Sequence, residues 1–257
     1  MKRELAGEFI GTAILVFFGC GSVAASILFD SFNGLFQIAM VWCFGITLAI
    51  YASRTLSPAH LNPAVSFAMF LAKKIDGKRF LLYSMAQLAG GVFGAAVLYA
   101  IFHPSIEYYE SINYIVRGSK DSIVTASMFG EFFPNPGYSE QVGNITQWQA
   151  MGAELSGTFM LVYMIFWLCL PKNESHLTPL YIGMTVAALI CLLAPISQGG
   201  FNPARDFGPR LFSYFAGWKD AAFPSPKLSF FTVYILSPLA GGALAYVAFY
   251  MTKKRDS

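Results

Sequence analysis

Six stretches of this chain are each long and apolar enough to cross a membrane: roughly 5–29, 34–53, 80–102, 148–170, 178–196 and 228–251. A hydrocarbon core of about 30 Å takes about 20 apolar residues of helix to span. It offers the backbone no water, so each stretch must satisfy its own N–H and C=O groups as a helix. Composition agrees. Of the 257 residues, 56% are hydrophobic and only 12% charged, against about 25% charged in soluble domains. The chain is predicted to be an all-α membrane protein. Its first stretch follows Lys2 and Arg3 as a signal peptide would, but it runs to about Phe29, contains Glu8 and has a counterpart later in the chain. It is therefore read as a permanent span.

Two shorter apolar pieces, about 63–72 and 203–214, each follow an Asn-Pro-Ala triplet, at Asn62-Pro63-Ala64 and Asn202-Pro203-Ala204. Asn is a favoured helix N-cap, and Pro suits the first helical position because its missing N–H would be unpaired there. A helix of about ten residues, rising about 1.5 Å per residue, covers half a membrane. These pieces are predicted to be re-entrant half-helices. The segments leading into them, Leu56–Leu61 and Ile196–Phe201, carry Pro58 and the Gly199-Gly200 pair, which argue against regular helix.

The two halves echo one another. Glu8-Phe9-Ile10-Gly11-Thr12 corresponds to Glu154-Leu155-Ser156-Gly157-Thr158, and Ala89-Gly90-Gly91 to Ala240-Gly241-Gly242. Each half reads span, span, half-helix, span. Three spans are an odd number, so the second half enters from the opposite side: an inverted repeat within one transmembrane domain, 1–257, with repeats at 1–102 and 148–252 and an outer connecting loop at 103–147. Repeat-built transport proteins place their site where the halves meet. Charge predicts the orientation. Lys2, Arg3, Arg54, Lys73, Lys74, Lys78, Arg79, Lys172, Lys253, Lys254 and Arg255 fall on one side, against Arg117, Lys120, Lys219 and Lys227 on the other. That bias puts both termini in the cytoplasm of a cell membrane.

Irregular backbone is tolerated at membrane depth only where protein buries it or a watery cavity needs it. Two loops meeting at mid-membrane would line a pore with carbonyls. Asn62 and Asn202 would offer N–H donors at its centre, beside two helix N-termini that carry partial positive charge. Such a site draws the oxygens of neutral solutes and repels cations. A single triplet would be read as an N-cap and nothing more; two in an inverted repeat favour the pore.

At this point the chain resembles the aquaporin and glycerol-facilitator family of membrane channels, over nearly its whole length. The motifs are Glu8…Thr12, His60-Leu61-Asn62-Pro63-Ala64-Val65, Gln87…Gly90, Glu154…Thr158 and Asn202-Pro203-Ala204-Arg205. The resemblance implies the aquaporin-like fold of six spans and two half-helices, homotetramers with one pore per subunit, and no cofactor or metal. It implies a selectivity filter of Trp42, Ile190, Gly199 and Arg205, in which Arg205 donates to solute and repels cations. Pro58, Ala59, His60, Gln198 and Gly200 would line the pore as loop positions, and Glu8 and Glu154 would hold the loops in shape. Asp206, followed by Phe207-Gly208-Pro209-Arg210, matches the glycerol-facilitator form. The chain departs from that form in three places. Ile190 and Gly199 stand where Gly and Phe are usual, Tyr234-Ile235 replaces Pro-Leu in the sixth span, and Pro58 replaces a Gly.

The implied function is a passive channel for glycerol and other small uncharged solutes, with water as co-permeant. The alternative within the fold is a predominantly water-selective pore. A secondary transporter is a remote rival, since its coupling would need an ion site and no acidic residue is evident near either triplet except Asp206. Nothing supports an enzyme: there is no HExxH and no Cys–His pair, and Ser57 with His60 lacks a third partner. The net charge of +3 comes with no basic run interleaved with aromatics, so nucleic acid is not an expected partner. The four cysteines lie apart in apolar segments and read as small buried side chains, not disulfides or metal ligands.

Overall fold

The computed structural model describes residues 1–32 and 34–253; Lys254 and Arg255 of the basic tail lie outside the described residues. Six helices are long and apolar enough to cross a membrane: α1 (Lys2–Phe29), α2 (Leu35–Ser53), α4 (Gly77–Ile112), α5 (Gln147–Leu168), α6 (Thr178–Ser197) and α8 (Ser229–Lys253). Between them lie two short helices, α3 (Pro63–Leu71) and α7 (Pro203–Ser213). Among the described residues there is no strand. The order is span, span, half-helix, span in each half, with α1 packed on α2 and α4, α5 on α6 and α8, and α2 facing α6.

The half-helices exchange partners between the halves. A methyl group placed on Gly91 of α4 would sit 2.7 Å from the carbonyl oxygen of Ala204 in α7, and one on Gly242 of α8 would sit 2.8 Å from that of Ala64 in α3. No real side chain fits at such distances, so the second glycine of each Ala-Gly-Gly lets a span of one half touch the half-helix of the other. The first glycines serve their own half, with Gly90 against the Phe9 carbonyl and Gly241 against the Leu155 carbonyl. The echo between the halves thus reports two kinds of close helix approach, and the second brings both half-helix N-termini to the middle of the molecule. In lipid, where no hydrophobic effect drives helices together, small residues at crossings supply the packing.

Two elements differ from expectation. The third span does not end near 102. α4 continues through Pro104 to Ile112, taking ten residues from the segment predicted as loop. Its extension buries Ile106 and Glu110, and Glu110 accepts from Thr125 Oγ1 at 2.7 Å and Arg117 Nε at 2.9 Å. The helix is thus stabilised by the loop it feeds, a partnership that local propensity does not report. That loop is itself partly helical at Ile123–Ala126, and its Met128, Phe129 and Phe132 are buried in the main core. In α8, a wider π-type turn occupies Thr232–Leu236, around the unusual Tyr234.

Candidate functional site

The two loops entering the half-helices share two left-handed positions. Ala59 and Leu61 in the first have φ of 53° each; Gly199 and Phe201, at the matching places in the second, have 77° and 52°. Left-handed backbone at a non-glycine residue costs on the order of 1–3 kcal/mol and persists only when the surroundings impose it. Each loop is hydrogen-bonded to a buried glutamate. Glu8 accepts from the backbone N–H of His60 (3.0 Å) and Leu61 (2.8 Å), from Ser57 Oγ (2.8 Å) and from Gln87 Nε2 (2.8 Å). Glu154 accepts from the N–H of Gly200 (2.9 Å) and Phe201 (2.6 Å) and from Ser197 Oγ (2.7 Å). Ser57, Ser197 and Gln87 therefore complete the two carboxylate sites. Tyr234 adds a further tie in the second half, its hydroxyl donating to the Ser197 carbonyl at 3.1 Å.

Both Asn side chains work in two directions. Each Oδ1 caps its own half-helix: Asn62 accepts from Ala64 N (2.8 Å), and Asn202 from Ala204 N (3.0 Å) and Arg205 N (3.3 Å). Each Nδ2 crosses to the other loop, Asn62 donating to the Phe201 carbonyl at 2.9 Å and Asn202 to the Leu61 carbonyl at 2.8 Å. An amide NH2 has two donors, so one remains on each Asn after the crossing bond. The same two residues thus cap the half-helices and bridge them, and the crossed bonds lock the half-helices end to end.

A cavity of about 360 Å³ runs past both Asn. Its lining includes Pro58, Ala59, His60, Gly199 and Gly200 from the loops, together with Trp42, Ile190 and Arg205. A second cavity of about 280 Å³ lies beyond, lined by Gln198, Glu131 and Asn135, and it too touches Trp42, Ile190 and Arg205. Those three side chains stand where the two cavities meet. The Arg205 guanidinium carbon is 4.2 Å from the centre of the Trp42 ring, a cation–π distance. Trp42 in turn lies over Gly19, where any side chain would collide with the indole. Gln198 faces outward and ties down the outer loop, accepting from Phe132 N at 2.7 Å. The His60 ring packs edge-on to Tyr83 and pairs through Nδ1 with Ser66 Oγ at 3.1 Å. Glu8 and Glu154 are fully buried behind the loops, away from the cavities.

The neighbourhood of Arg205 holds one feature that inspection of the triplets does not find. Asp206 is not the only acidic residue beside a triplet: Glu131, from the connecting segment, forms an ion pair with Arg205 Nη1. Its one local signal is that a lone carboxylate sits in the run Met128-Phe129-Gly130-Glu131-Phe132-Phe133, too apolar for a solvated loop. Asp206 faces away from the cavities and pairs with Arg210 (2.6 and 3.1 Å).

Residues 1–249 match the family model described as major intrinsic protein. The chain is 37% identical over 245 residues to a glycerol uptake facilitator protein of Haemophilus influenzae, covering 94% of this chain and 90% of that one. It is 39% identical to the glycerol uptake facilitator protein of Pseudomonas aeruginosa (94% and 85% covered) and 36% identical to the propanediol uptake facilitator PduF of Citrobacter freundii (97% and 91%). Its fold matches the aquaglyceroporin from Plasmodium falciparum with a TM-score of 0.81, at 24% identity and over 96% and 94% of the two chains.

Proposed function

The chain belongs to the major intrinsic protein family, and from that premise we propose how its pore selects. The protein is a multi-pass membrane channel, not an enzyme, and conducts glycerol and other small uncharged solutes passively. The observation that carries the selective step is the meeting of the two cavities at Trp42, Ile190 and Arg205. In this reading Trp42, Ile190, Gly199 and Arg205 form the filter, and Asn62 and Asn202 form the pore centre. A polyol passes with its carbon edge on the indole and Ile190 while Arg205 and loop carbonyls serve its hydroxyls. At the centre the free Asn N–H donors take the next hydroxyls, and two helix N-termini oppose cations. Pro58, Ala59, His60, Gln198 and Gly200 line the approaches, and Glu8 and Glu154 keep both loops in their left-handed shape.

The Ile190 and Gly199 pair replaces an aromatic wall by an aliphatic one. Space is the supporting argument: a methyl on Gly199 would meet the Phe201 ring at 3.2 Å and Ile190 Cγ1 at 3.6 Å. Ile190 and Phe201 thus occupy the ground a side chain at 199 would need. Loss of the apolar indole removes the surface for a polyol's carbon edge and should change solute ranking more than water flux. Trp42→Ala is expected to compress the ratio of glycerol to urea flux by about tenfold, the low end of the roughly 10–200-fold that apolar pocket contacts discriminate, while water flux changes less. Equal changes for all three permeants would remove this role.

Both termini are assigned to the cytoplasm of the plasma or inner membrane, on the Lys and Arg bias among the spans. The connecting segment then lies outside, flanked by the two repeats, the first of which runs on to Ile112. A homotetramer with one pore per subunit follows from the resemblance and is testable by mass in detergent. Water flux measured beside glycerol flux in the same vesicles decides between the two permeants. Glycerol flux well above that of empty vesicles is expected. Rapid water flux with glycerol at background would make the pore water-selective.

A further inference from the structure

Glu131 is among the least exposed carboxylates of the chain, at 3%, and its partner Arg205 is 4% exposed. Its position is built. The Glu131 N–H donates to Asp206 Oδ1 at 2.8 Å, and its carbonyl accepts from Arg210 Nη2 at 2.5 Å. Asp206 and Arg210 are themselves a sealed pair, at 1% and 0% exposure, and Arg210 also donates to the Ala222 carbonyl. One buried ion pair thus clamps the backbone of the residue that completes a second. The four side chains sum to no net charge, and only the Arg205–Glu131 pair reaches the outer cavity.

We propose that Glu131 is a specificity-determining residue, and that the outer constriction rejects ions as a neutral Arg205–Glu131 pair and not as a lone cation. The inference rests on the reading that Arg205 lines the permeation path. A bare guanidinium beside the path would repel cations and invite anions. With a carboxylate in contact, an approaching ion meets a dipole whose field falls off faster than that of a charge. Rejection then comes from dehydration. Trp42 and Ile190 give an ion nothing to replace its water shell, and an uncompensated charge in such a site is costly. A neutral solute with hydroxyls meets both a donor and an acceptor. On this account, Arg205→Ala opens a cation leak because it strands the Glu131 carboxylate at the constriction.

The test uses the full chain in vesicles, with sodium entry, iodide entry and glycerol swelling read on the same preparations. Arg205→Ala is expected to raise sodium flux by about tenfold, the equivalent of ~1.4 kcal/mol of barrier. Arg205→Ala combined with Glu131→Gln should return sodium flux to near the wild-type level. Glu131→Gln alone leaves an unpaired cation and should raise iodide flux and not sodium flux. A double variant as leaky to sodium as Arg205→Ala would overturn the proposal, and so would a Glu131→Gln pore with wild-type iodide flux. If Arg205→Ala yields no glycerol-conducting protein, the iodide result for Glu131→Gln decides alone. Wild-type vesicles that fail to pass glycerol count against the channel reading, whereas ion fluxes in glycerol-conducting vesicles bear on the pair.

Discussion

Glu154→Ala is expected to reduce glycerol flux to the level of empty vesicles at matched protein content. The carboxylate holds Gly200 N, Phe201 N and Ser197 Oγ, and without it these buried donors lose their acceptor. Hydrogen bonds to charged groups contribute about 1.5–3 kcal/mol each, and three are lost together. The total is comparable to the whole stability of a typical domain, about 5–15 kcal/mol. What gives way first is the loop, since Phe201 is a non-glycine residue at positive φ whose N–H the glutamate holds. When that turn relaxes, the Phe201 carbonyl leaves Asn62, and the lock between the half-helices opens from one side. Glu154→Gln keeps one acceptor oxygen but places an NH2 against the remaining donors, so an intermediate flux is expected. Flux within about twofold of wild type for the Ala variant, under ~0.5 kcal/mol of barrier, would refute the role assigned to this residue.

The second large effect is expected at Arg210, which lies outside the proposed filter. Arg210→Met removes the partner of Asp206 and the donors of the Glu131 and Ala222 carbonyls in one step. Breaking a fully buried ion pair by deleting one member costs about 3–5 kcal/mol, because the other charge stays buried alone. The unfolding temperature in detergent should fall sharply. The outer segment should also loosen, since Glu131 and Phe132 are tied to the core through Asp206, Arg210 and Gln198. Pairing Arg210→Met with Asp206→Leu removes the stranded charge and should recover part of the loss. A double variant no more stable than Arg210→Met would mean that the carbonyl contacts, and not the charge pair, dominate.

The parts of this architecture that were legible from residues alone are those written in short-range patterns or in the repetition of a pattern. The Asn-Pro-Ala triplets carry their own capping chemistry. The Glu8 and Glu154 motifs recur in the first span of each half, 52 and 46 positions before the first loop N–H each one holds. The Ala-Gly-Gly pairs mark close crossings in both halves. What stayed hidden depends on partners far apart in sequence. The extension of α4 past residue 102 is held by Arg117 and Thr125 of the following segment. The Glu131 N–H meets Asp206 across 75 positions, and its carbonyl meets Arg210 across 79. No periodicity records such pairings. Tyr234 was visible as a departure from the family pattern, but its use was not. The π-type turn puts its hydroxyl on Ser197, on the loop that Glu154 holds. Asp206 was likewise assigned to a glycerol-facilitator pattern without a mechanism. Its mechanism is positional, since it fixes the backbone of the residue that neutralises Arg205.

The central claim is that two half-helices meeting at Asn62 and Asn202 form a passive path for glycerol. The most direct measurement is radiolabelled glycerol uptake into vesicles holding the purified chain, with and without imposed proton or sodium gradients. The account predicts rapid uptake that stops when inside and outside concentrations are equal, with the same rate and endpoint under every gradient. Accumulation above the outside concentration when either gradient is imposed would contradict it.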